Sequence, residues 1–60
     1  MSQRAVDAVF HASFLLCEVR MILRETAPHH RLGPEQVDRV RETIGLLETE
    51  VRSLREELIP

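Results

Sequence analysis

Cysteine occurs once, at Cys17, so no disulfide can close within the chain. A lone thiol fits a reducing compartment, and a cytoplasmic location is the expectation. Tryptophan, tyrosine and lysine are missing; the only aromatic residues are Phe10 and Phe14, and all eight basic residues are arginine. A long apolar run is missing as well. Residues 5–23 are rich in apolar side chains, but Asp7, His11, Glu18 and Arg20 interrupt them. A bilayer span needs about 20 nearly uncharged residues, and a secretory signal needs an unbroken apolar core, so neither is expected here. Basic charge is in deficit too: the net charge is −2, which weighs against nucleic acid as the main partner, because phosphate binding favours a basic surface.

What remains is a chain of 60 residues, 43% apolar and 30% charged. So short a chain buries little apolar surface alone, and small domains add disulfides, a metal or further copies of themselves. The first device is excluded by composition. The second lacks ligands: His29 and His30 are adjacent in a loop beside Arg31, no Glu-x-x-His occurs, and no Cys/His cluster offers four zinc ligands. Self-association is therefore the expected device, with a homodimer as its simplest form. No cofactor is expected.

The strongest pattern runs from Val37 to Leu58. Apolar residues fall at Val37, Val40, Ile44, Leu47, Val51, Leu54 and Leu58, alternating three and four residues apart. That is a heptad seam, the mark of a helix that packs along its length on another helix. The first half of the chain offers a partner. Ser2 can cap a helix start, and no glycine or proline follows until Pro28, so a helix is expected over residues 2–26. Residues 27–33 read as a loop. Pro34 suits a first helical position, Glu35 suits the positive end of the helix dipole, and a second helix is expected over residues 34–59.

The first helix shows two apolar seams rather than one. Ala5, Val9, Ala12, Leu16, Val19 and Leu23 form the first, widened by Ala8, Leu15 and Ile22; Phe10, Phe14, Cys17 and Met21 form the second, on nearly the opposite face. The first seam is expected to pack on the second helix. The second is expected either to lie in the core of an oligomer or to dock another protein. Two polar strips separate the seams, one of them Arg4, His11, Glu18 and Glu25, which could bridge to charges on the second helix but is expected rather to face water. The fold expected is all-α: a two-helix antiparallel hairpin that self-associates into a four-helix bundle. The β-branched and leucine pattern of Ile44, Leu47, Val51 and Leu54 also suits a parallel two-stranded coil with the first helix outside, and this arrangement stays open.

No constellation points to catalysis. Cys17 sits between Phe14 and Met21 on an apolar stripe, without the base and positive setting that activate a thiol. The most basic spot is Arg24, His29, His30 and Arg31 at the loop end. A small basic patch there would serve an acidic partner or RNA. The hairpin layout is similar to that of small bacterial regulators such as the plasmid RNA-binding Rop proteins, and to the helical-hairpin phosphatases that act on sporulation response regulators. The chain has Arg41-Glu42-Thr43-Ile44-Gly45 where those phosphatases carry a Ser-Gln-Glu-Leu-Asp type motif. Fold alone does not transfer function. The functional expectation is thus a non-enzymatic protein-interaction or regulatory module, with RNA binding at the loop end as the alternative.

Overall fold

The computed structural model describes residues 2–60. Helix α1 runs over Gln3–Glu25 and helix α2 over Pro34–Leu58, and the two pack against each other as an antiparallel hairpin about 40 Å long. Each boundary has a local cause. Ser2 accepts the Ala5 backbone N–H at 3.1 Å, which makes it the N-cap rather than the first helical residue. Thr26 ends α1: its hydroxyl donates to the carbonyls of Ile22 and Leu23, and its backbone N–H also donates to the Ile22 carbonyl. His30 completes that end. Its φ is 54°, a left-handed conformation that histidine adopts more readily than most residues, and its Nδ1–H donates to the Leu23 carbonyl at 3.0 Å. At the start of α2, Gln36 reaches back so that its Oε1 accepts the Gly33 N–H at 2.8 Å, ahead of Pro34. Ile59 caps the other end, leaving Pro60 outside the helix.

The core is thin. Ala5, Ala8, Leu15 and Ile22 are the buried apolar residues, and Thr43 is buried with them. These positions settle how the helices are turned. In α1, Ala5, Ala12 and Val19 take heptad position a and Ala8, Leu15 and Ile22 take d. In α2, Val40, Leu47 and Leu54 take a and Thr43, Glu50 and Glu57 take d. Every one of these residues is buried or half-buried. The alanines near the start of α1 lie opposite the far end of α2, where the longer Glu50, Leu54 and Glu57 fill the space. Large against small is how helix layers interdigitate at native density.

This differs from the seam expected on α1. Val9, Leu16 and Leu23 are exposed, while Ala8, Leu15 and Ile22, expected on its flank, are the most buried. In α2, likewise, Val40, Leu47 and Leu54 face α1, whereas Ile44, Val51 and Leu58 are exposed. The reason is that each apolar seam is wider than the stripe a single helix neighbour can cover. Contact with α1 takes one edge of the seam and leaves the other edge free.

Gly45 lies on the outward face of α2, and a Cβ built there meets nothing within 4 Å. Close approach of the neighbouring helix therefore does not account for it. Gly45→Ala is expected to raise the unfolding free energy by about 1 kcal/mol, the helix-propensity difference. Ile22→Ala is expected to lower it by about 2–4 kcal/mol through the cavity it leaves. Urea unfolding followed by circular dichroism measures both.

Candidate interaction site

The turn of the helices gives the hairpin two unlike sides. In an antiparallel pair the g positions of both helices flank the seam together, and the e positions flank it together on the opposite side. The g side is identified by its contacts. One groove there is lined by Arg4, His11, Glu50 and Ser53, and a second by Glu18, Met21, Arg39 and Leu46. His11 Nδ1–H donates to Glu50 Oε1 at 3.0 Å. Arg4 lies 3.8 Å from Glu57 Oε2, and the Ser2 hydroxyl donates to Glu57 Oε1. The strip expected to face water is thus partly used: Arg4 and His11 bridge to α2, whereas Glu18 and Glu25 make no ion pair among the described residues. The signal that could have shown this is Gln36, Thr43, Glu50 and Glu57, a polar heptad line in register with Arg4 and His11.

The other side is apolar. Val9, Leu16 and Leu23 stand at e in α1, and Val37, Ile44, Val51 and Leu58 stand at e in α2. Apart from the half-buried Val37, these residues are 41–55% exposed. Ile44, Leu47 and Val51 line one shallow groove along this side together with Glu48, Arg52 and Arg55, and Val51, Leu54 and Leu58 line another with Arg55 and Ile59. The two lines flank one seam, so together they form a continuous strip along the hairpin.

A third surface is the outer face of α1, pointing away from α2. Phe10 is 70%, Phe14 62% and Met21 59% exposed, and Cys17 beside them is exposed too. The hairpin itself buries none of this stripe. The loop end carries Arg24, His29, His30 and Arg31, all exposed. Glu25 and Glu35 line a groove there together with Arg39, so two carboxylates and one guanidinium border it. His30 is committed to the Leu23 carbonyl through Nδ1.

Among the described residues no three His, Cys, Asp or Glu side chains gather as a metal site would require, and no helix is long and apolar enough to cross a membrane. Comparison with family models, curated proteins and solved structures finds no match to this chain.

The two sides should respond differently to substitution. His11 and Glu50 are partly solvated, with side chains 48% and 20% exposed. His11→Ala is therefore expected to cost less than about 1 kcal/mol and to leave the sedimentation mass unchanged. A change in mass would show that the polar side also carries an intermolecular contact.

Proposed function

We propose that this protein is a non-enzymatic interaction module whose hairpins self-associate, through the apolar side, into a dimeric four-helix bundle. The observation that supports this reading most is that the exposed e-position residues of both helices fall on one side of the hairpin, while the other side carries the His11–Glu50 and Arg4–Glu57 bridges. A face of that kind, running the length of the helices, matches a second copy of itself. Such a contact covers the same apolar strip on both partners at once.

Area points the same way. The accessible surface is 4966 Å², whereas a compact monomer of 7.0 kDa is expected to expose about 4000 Å². The excess, roughly 1000 Å², is of the order of the ~800 Å² that each partner buries in a standard stable interface. The assembled module would present its outer helix faces and loop ends to other molecules. Its role is then to hold two copies of those surfaces in a fixed arrangement.

The test is Leu16→Glu combined with Val51→Glu, one change on each helix and both at exposed positions. Sedimentation equilibrium is expected to show about half the wild-type mass. Circular dichroism at the same concentration shows whether the helices persist. An unchanged mass with helicity intact would dismiss the apolar side as the self-association face.

A further inference from the structure

The outer face of α1 reads as a second self-complementary surface. From Asp7 the residues along it are Phe10, Phe14, Cys17, Met21 and Arg24, spaced three, four, three, four, three. All six are exposed in the hairpin. When a second copy of α1 is laid antiparallel on this stripe, with the two-fold axis midway between Phe14 and Cys17, each residue meets a complement. Phe14 faces the partner's Cys17, Phe10 faces the partner's Met21, and Asp7 faces the partner's Arg24. The centre thus holds two aromatic–thioether and two aromatic–thiol contacts, both favourable pairings of sulfur with a ring. Each end holds an ion pair.

We infer that the outer stripe of α1 is a two-fold interface, occupied by α1 of a second copy of this chain in antiparallel register, with Asp7 paired to the partner's Arg24. Three observations carry it. Phe10 and Phe14, both above 60%, are the most exposed large apolar residues among the described ones. The two ends of the stripe bear opposite charges, so reversing the helix direction pairs them. Within the hairpin, Asp7 bonds only its neighbour Gln3, at 2.8 Å, and Arg24 makes no ion pair among the described residues. A partner protein of unrelated sequence would have no reason to match this palindromic order of charge, ring and sulfur.

The stripe and the apolar side are different faces of α1, so this contact stands independently of the bundle proposed above. Where both form, each chain has two partners, and the assembly is larger than a dimer.

Exchange of charge tests the register. Asp7→Arg sets like charges against each other at both ends and is expected to weaken the α1–α1 contact about tenfold. Arg24→Asp is expected to do the same, and the double variant is expected to restore the wild-type mass in sedimentation equilibrium. Asp7 and Arg24 lie about 25 Å apart along one helix, so the rescue cannot arise within a chain. The double variant opposes the helix dipole at both ends, so a plain stability effect would make it worse than either single change. Reaction of Cys17 with a thiol reagent supplies a second readout: slow in the wild type, faster in each single variant, slow again in the double. Unchanged mass and thiol rate in the single variants overturn the inference, as does a double variant no better than the singles. Leu16→Glu with Val51→Glu reports separately on the apolar side, so failure of one contact is not mistaken for failure of the other.

Discussion

Two helices alone can bury in each other only a narrow stripe apiece, and the rest of this structure follows from that constraint. The stripe here is Ala5, Ala8, Ala12, Leu15, Val19 and Ile22 on one helix, and Val40, Thr43, Leu47, Glu50, Leu54 and Glu57 on the other. Antiparallel pairing then decides what happens to the positions beside it. The e residues of both helices come out on one side and the g residues on the other. In a parallel pair each side would mix an e line with a g line, and the polar and apolar residues would be shared between the two sides. The antiparallel hairpin sorts them. One side carries histidine, arginine and glutamate, with Leu46 among them, and the other carries valine, leucine and isoleucine.

The polar d positions of α2 hold that sorting in place. Leucine at Thr43, Glu50 and Glu57 would bury more apolar area, by roughly 1.5–3 kcal/mol for each side chain fully buried. It would also make α2 apolar around most of its seam, and nothing would then distinguish the side that faces α1 from the side that is left exposed. Glu50 and Glu57 prevent this by having partners in one rotation of the helix only: His11 at 3.0 Å, and Arg4 with Ser2. Turning α2 to bury Ile44 and Val51 against α1 would break those contacts. Partly solvated ion pairs contribute little to stability. Their value here is in choosing between two rotations that hydrophobic burial alone would leave close in energy.

That choice is also where the sequence was hardest to read. The two helices, the capping by Ser2, the break at Pro28 and the start at Pro34 follow from local chemistry that each residue carries with it. The heptad of α2 was legible as well, since Val37, Val40, Ile44, Leu47, Val51, Leu54 and Leu58 all lie on its apolar face. What the spacing does not contain is the division of that face between two neighbours. An a/e pair of lines has the same three–four alternation as an a/d pair, so the pattern looks like one complete seam. Only the polar line through Gln36, Thr43, Glu50 and Glu57, matched to Arg4 and His11 on α1, tells which edge turns inward. The outer stripe of α1 was legible for the opposite reason: Phe10, Phe14, Cys17 and Met21 lie between polar strips on the face of α1 opposite its first apolar seam, and they stay exposed in the hairpin.

The thin core adds a thermodynamic consequence. Among the described residues four apolar side chains are buried, two of them alanine, which is little to set against the entropy of ordering the backbone. In so small a hairpin, surface covered by association stabilises the fold as directly as surface covered within the chain. If the hairpins associate as proposed, folding and association would be one coupled equilibrium, and stability would rise with protein concentration by mass action. A substitution on an exposed e position would, in that case, lower stability as a core substitution does. The exposure of Val9, Leu16, Ile44 and Val51 in the single hairpin is therefore a poor guide to how freely they can vary, because these residues would belong to a core that one chain cannot complete.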